Sequence, residues 1–172
     1  MAIEPSIIAA IGYTEEKKIV LANVEEAKYP AYEYELTDNG ISIEGNQPHW
    51  WKYFLCGVKG VVEEMTDFQW STGMKVILSG SIPPSSGLSS SSAVVVAGAI
   101  SALVVSKKVD KFSRKELADL CAKSERVCTN FTSIRRPFFI FFFFKVHWNP
   151  RRRNGSSHGI IGPKRMCPID RI

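Results

Sequence analysis

Hydrophobic positions recur at two spacings along this chain, and the switches between them lay out its elements. Ile3 to Ala10 is a short apolar run of strand character, Ile11-Gly12-Tyr13-Thr14 reads as a turn, and Lys18 to Asn23 is a second β-rich run. Together they predict a hairpin. Tyr32, Tyr34 and Leu36 alternate with Glu33 and Glu35, the pattern of a half-buried strand. Ile41 and Ile43 keep that period beyond a turn at Asp38-Asn39-Gly40.

The spacing then lengthens. Trp51, Phe54, Leu55, Val58, Val61, Val62 and Met65 recur at steps of three and four, the stripe of an amphipathic helix. Met74, Val76 and Leu78 return to alternation within Gly73–Leu78. Ser91 to Val105 is apolar on every side. Its Val94-Val95-Val96 core favours a strand, while its length and its Ala97-Gly98-Ala99 segment favour a buried helix, which is the assignment adopted. Ser113-Arg114-Lys115-Glu116 is a capping box that opens another helix, with Leu117, Leu120, Cys121, Ser124 and Cys128 on one face.

After Thr129 no period fits. Seven of the ten phenylalanines fall between Phe131 and Phe144, and an arginine cluster with a Gly/Pro/Ser-rich stretch follows. Residues 1–129 are therefore read as a folded body and 130–172 as an irregular, disordered tail. Charge divides the same way. Nine of the 22 basic residues lie in 130–172 against one acid, so the net charge of +5 belongs to the tail, and 1–129 carries −3. A nucleic-acid partner has no support in the body. Arg151-Arg152-Arg153 reads as an exposed charged run.

The composition, 45% hydrophobic and 23% charged, is that of a soluble globular protein. No apolar run reaches the roughly 18 residues needed to cross a bilayer. The four cysteines show no metal or redox spacing, and Met1-Ala2-Ile3-Glu4-Pro5 lacks a basic leader, so a cytoplasmic setting without a membrane is expected. His49, His147 and His158 are scattered and make no triad.

The segment with chemical content is Gly80-Ser81-Ile82-Pro83-Pro84-Ser85-Ser86-Gly87-Leu88-Ser89-Ser90-Ser91-Ser92-Ala93, between a predicted strand and a buried helix. A helix N-terminus offers unpaired N–H groups and partial positive charge, which suits an anion. Gly87 permits close backbone approach, and small hydroxyls can donate to phosphate or ligate Mg²⁺. The Gly-Lys-Ser/Thr ending of a Walker A loop is missing. A serine-rich linker ahead of a helix is the plain alternative.

The string Pro83-Pro84-Ser85-Ser86-Gly87-Leu88-Ser89-Ser90-Ser91-Ser92-Ala93 resembles the second signature motif of the GHMP kinases, in the form seen in N-acetylgalactosamine kinase. Met1-Ala2-Ile3-Glu4 resembles an early strand of that family, Trp50 to Gly60 the helix before the motif, and Leu117 to Arg126 the helix after it. The resemblance covers residues 1 to about 127. It implies an α+β fold, the N-terminal part of a GHMP kinase, with a mixed β-sheet packed against helices. It also implies ATP-dependent phosphorylation of the anomeric hydroxyl of galactose or N-acetylgalactosamine. By motif, Ser85, Gly87, Ser89, Ser90 and Ser91 would surround the ATP phosphates, with Ser90 and Glu125 as the Mg²⁺ ligands. Trp50 and Asn23 fall where family members line the adenine pocket. Plain packing for Trp50, and a solvated or ion-paired edge position for Glu125, are the alternatives beside these roles.

The chain departs from the family in two places. The substrate motif built around Gly-Glu-His is absent. The Gly-rich stretch whose Asp is the family's catalytic base should follow Glu125 closely, but the chain reads Val127-Cys128-Thr129-Asn130-Phe131, and its only later acid is Asp170. The expectation is an incomplete copy of a sugar 1-kinase, inactive as it stands. A non-catalytic nucleotide-binding relative and a truncated translation product are the alternatives.

Overall fold

The computed structural model describes residues 5–37, 40–44, 49–84, 87–129 and 145–148. The strands are β1 (Ile7–Thr14), β2 (Lys18–Asn23), β3 (Tyr32–Glu35), β4 (Gly73–Gly80) and β5 (Lys145–Trp148). The helices are α1 (Trp50–Glu64), α2 (Ser90–Val105) and α3 (Arg114–Thr129), with a short 3-10 turn at Val109–Lys111. The strands form one mixed sheet in the order β3-β2-β4-β1-β5. α2 lies on β1 and β4, and α1 and α3 pack against it. This is the α+β arrangement expected.

The predicted hairpin does not form. β4 runs between the first two strands, antiparallel to β1 (Ile7 opposite Gly80, Thr14 opposite Gly73) and parallel to β2 (Ile19 opposite Met74, Asn23 opposite Leu78). The chain from Thr14 to Lys18 can span roughly 13 Å when extended, enough to step over one intervening strand in a sheet spaced about 4.8 Å per strand. Gly73 is what lets β4 enter there, because a Cβ at this position would run into the carbonyl oxygens of Glu16 and Lys18. β1 also begins later than predicted and absorbs Ile11-Gly12-Tyr13-Thr14, which read as a turn.

Alternation correctly marks the core face of the sheet. Ala9, Ile11, Ile19, Leu21, Met74, Val76 and Leu78 are buried, while Ile8 and Ile77 face outward. β3 buries Tyr32 and Tyr34 partly and exposes Glu33 and Glu35. Ile41 is buried and Ile43 packs against the core, but this segment makes only a Thr37–Gly40 bridge rather than a strand.

α1 buries Phe54, Leu55, Val58 and Val61, and α2 is a helix buried along most of its length, as its sequence predicted. Two glycines bring these helices into backbone contact. A Cβ at Gly57 would overlap the Val95 carbonyl, and one at Gly98 would overlap that of Phe54. The capping box forms as read: Ser113 N–H donates to Glu116 Oε2 (2.8 Å), and Glu116 N–H donates to Ser113 Oγ (3.3 Å). Leu117, Leu120, Cys121 and Ser124 are the buried face of α3.

Of residues 130–172, read as an irregular tail, the described portion is β5, parallel to β1 with Ile8 opposite Lys145. That four-residue strand is a regular element where none was expected. The phenylalanine run and the arginine cluster lie outside the described residues, as do Met1–Glu4 and Asp38-Asn39.

Candidate functional site

β4 delivers the chain to the serine-rich loop at a fixed point. Ser81 N–H donates to Ser6 carbonyl (3.0 Å) and Ser6 N–H donates to Ser81 Oγ (3.1 Å), which continues the β1–β4 ladder one residue past Gly80. Ile82 is buried beneath the loop. Ser85 and Ser86 lie outside the described residues. Gly87 then has φ +74°, and Ser89 has φ 56° and ψ 43°, both in the left-handed region. Glycine adopts that conformation freely, whereas a serine there stores on the order of 1 kcal/mol of strain.

The two turns aim the chain into α2 with its first turn uncapped. The Ser89 side chain makes no capping bond, and no acid lies in the first turn of α2. The first helical bond is Ala93 N–H to the Ser89 carbonyl (3.1 Å), so the N–H groups of Ser90, Ser91 and Ser92 precede the helical ladder. Three such donors at the positive end of a helix are the kind of group that attracts an anion.

A carboxylate reaches this turn from α3. Ser92 Oγ donates to Glu125 Oε2 at 2.7 Å, across 33 residues of chain and partly buried. The rotation of α3 that makes this possible is set at Gly60 of α1, where a Cβ would collide with Ser124 Oγ and crowd Leu120. Ser124 Oγ in turn donates to the Leu120 carbonyl (2.9 Å). Two neighbours feel the Glu125 charge. Burial, with Glu125 second, pushes the Cys121 thiol up to about 12, and the same two causes raise the Tyr53 hydroxyl above its ordinary value.

Serine hydroxyls and one carboxylate are hard oxygen donors, the kind Mg²⁺ takes together with phosphate oxygens. Among the described residues no three His, Cys, Asp or Glu gather as a protein-only metal cage. The residues present therefore fit Mg²⁺ carried with a nucleotide.

The structure brings Gly87, Ser89, Ser90 and Ser91 together at the loop and helix start. The hydroxyl bonded to Glu125 is that of Ser92, which the sequence assigned no role. Ser90 and Ser92 lie about 200° apart around a helix, so they cannot face α3 equally. Helical phase was the signal that could have singled out Ser92, but only once the partner helix was known.

Trp50 and Asn23 are placed by other contacts. Trp50 Nε1–H donates to the Pro30 carbonyl (3.0 Å), and its ring meets Tyr29 edge-on. Asn23 Oδ1 accepts from Glu25 N–H (2.9 Å), starting the turn after β2. Both therefore shape the 23–30 segment.

The neighbouring Trp51 is the more engaged ring. It stacks on Tyr32 (3.7 Å between centroids) and on His49 (5.2 Å), with Lys52 Nζ over it. It lines a cavity of about 340 Å³ with Tyr32, Tyr34, Glu35, Ser42 and Glu44. Two glutamates in that wall oppose an anion.

Residues 53–134 match the family model described as GHMP kinases N terminal domain. Galactokinase of Candida parapsilosis is 33% identical over 130 residues, covering 73% of this chain and 25% of that protein. Galactokinase of Dictyostelium discoideum is 30% identical over 128 residues, 73% of this chain and 25% of that protein. The chain thus spans about a quarter of the length of these curated relatives.

Among solved structures, Methanococcus jannaschii mevalonate kinase superposes with a TM-score of 0.62 at 24% identity, covering 75% of this chain and 39% of that one. Lactococcus lactis galactokinase, complexed with galactose, gives 0.61 at 23% identity, covering 76% and 32%. These two likenesses establish the fold.

Proposed function

Because the chain belongs to the GHMP kinase superfamily, in its galactokinase branch, we propose that it retains the nucleotide half of an ATP-dependent sugar 1-kinase and holds Mg-ATP at the N-terminus of α2. The observation that carries this reading is the junction of an uncapped helix start with a carboxylate delivered from a separate helix, through Ser92 and Glu125.

In this reading the N–H groups of Ser90 to Ser92 and the loop at Gly87 bind phosphate oxygens. Gly87 and Ser89 both take left-handed backbone in this loop. Glu125 would hold Mg²⁺ together with a hydroxyl of that first turn, Ser92 being the one that faces it and Ser90 the one the motif assigns, with Ser91 and Ser85 as further hydroxyls. When bound, Mg²⁺ offsets charge on the phosphates, which together with positioning supplies most of the rate in phosphoryl transfer. The residues of this chain bind and orient the nucleotide.

By family the acceptor is galactose or N-acetylgalactosamine, and the likeness of the Pro83-to-Ala93 string favours the latter. The base that takes the proton of the sugar hydroxyl is supplied, in that family, by an Asp shortly after Glu125. Here Val127-Cys128-Thr129-Asn130-Phe131 stands in that place. We therefore assign this chain nucleotide binding without sugar phosphorylation.

Isothermal titration of the full chain with Mg-ATP tests the assignment. Heat of binding that disappears in Gly87→Val, with the fold preserved by circular dichroism, is the expected outcome. Titration heats identical in Gly87→Val and the parent chain would remove the loop from the site.

A further inference from the structure

The cavity beside Trp51 has walls of a definite chemistry. Its volume of about 340 Å³ lies at the small end of ligand pockets, which span roughly 300–1,000 Å³. Three aromatic rings line it, Tyr32 and Tyr34 of β3 and Trp51 of α1, together with Glu35, Glu44 and Ser42. The two-residue period of β3 puts Tyr32 and Tyr34 on one face, and Tyr32 stacks on Trp51. Ser42 N–H donates to the Tyr34 hydroxyl (2.7 Å), and the neighbouring Ile41 is buried, so the segment carrying Ser42 is tied to β3.

The charge of this wall has one sign. It holds two carboxylates and no cationic residue, and neither Glu35 nor Glu44 forms an ion pair with a described residue. Glu33, by contrast, is paired with Lys18. The aromatic cluster already attracts an ammonium group, since Lys52 Nζ lies 5.7 Å from the Trp51 ring centroid without lining the cavity. Aromatic faces beside acidic groups suit an alkylated ammonium ion, whose charge is spread and whose surface is apolar. A bare divalent ion fits less well, because it takes a close cage of oxygens and no three acids gather among the described residues.

We propose that this cavity binds a small alkylated ammonium ion, held against Tyr32, Tyr34 and Trp51, with Glu35 and Glu44 offsetting its charge. The site shares no residue with the first turn of α2 and does not depend on nucleotide binding there.

The test is a proton NMR titration of the full chain with choline as probe, read by saturation transfer to its N-methyl protons. Choline should bind about tenfold more tightly than its neutral isostere, in which a tert-butyl group replaces the trimethylammonium. Glu35→Gln and Glu44→Gln, both at exposed positions, should each weaken choline about fivefold, the scale of one carboxylate close to the charge in a water-like setting. Tyr34→Leu should weaken it as well, while Tyr34→Phe, which keeps the ring, should retain binding. The comparison of choline with its isostere needs no variant, so it stands even where Tyr34→Leu does not fold. Equal affinity for the two probes, choline affinity unchanged when both glutamates are replaced, or no transfer to choline at all would each overturn the proposal. Galactose bound there in preference to choline would overturn it too, by making the wall a sugar platform. A chain that binds choline but not Mg-ATP would uphold this site and remove the nucleotide reading alone.

Discussion

Gly57 of α1 lies so close to the Val95 carbonyl of α2 that a methyl group at position 57 would overlap its oxygen. Gly98 repeats the relationship against Phe54 in the opposite direction. The obstruction on each side is backbone, which cannot turn aside as a flexible side chain can. Gly57→Ala should therefore destabilise the body by about 3 kcal/mol, at the upper end of ordinary overpacking. Gly12→Ala, whose Cβ would stand 4.0 Å from its nearest neighbour, the Lys75 carbonyl oxygen, should be tolerated. Urea unfolding of the two variants decides this, and equal midpoints would refute the close approach of α1 and α2.

Ser89 holds φ 56° immediately before α2. Glycine takes that conformation without a steric penalty but loses more backbone entropy on folding. Ser89→Gly should accordingly raise stability by up to about 1 kcal/mol. Ser89→Val, with a branched side chain in the same conformation, should lower it by more. A thermal melt in which the valine variant is the more stable of the two contradicts the left-handed assignment.

The capping box predicts a pH dependence with a definite sign. Bonds from the Ser113 backbone and side chain, in that order, hold the Glu116 carboxyl below its ordinary value of 4.5. A carboxyl with a depressed folded pKa contributes stability above its unfolded value, and that contribution is lost as pH falls through the folded value. Ser113→Ala should cost about 1 kcal/mol at neutral pH, as for other N-cap serines. It should also flatten the decline in stability below pH 4.5. Parallel stability–pH curves for the parent and Ser113→Ala would show the box to be without effect.

Sugar turnover should be undetectable. Proton transfer by a placed group contributes on the order of 10²–10⁴ in rate, and no acid follows Glu125 before Asp170. ADP release with galactose or N-acetylgalactosamine should equal the background without sugar. Sugar-dependent release that vanishes in Ser90→Ala would show that another residue serves as base.

Local pattern by itself determined most of the elements. The stripe from Trp51 to Met65, the all-apolar run through Val105 and the Ser113–Glu116 box each specify a helix, because the relevant spacing lies within one or two turns. The serine-rich string likewise marks α2's start as the phosphate-binding candidate, since a strand, a small-residue turn and a buried helix follow one another in sequence.

Tertiary structure alone decided what joins what. β1 and β2 looked like a hairpin because they are adjacent in sequence, yet β4 enters between them where Gly73 leaves room for the backbone of Glu16 and Lys18. Trp50 and Trp51 are adjacent in sequence, but the helix start turns Trp50 toward Pro30 and stacks Trp51 on Tyr32 and on His49. Ser92 could not be told from its three serine neighbours until α3 was docked, because the choice depends on the rotation of one helix against another. That rotation is fixed by contacts at Gly60 and Ser124, residues 64 positions apart in the chain.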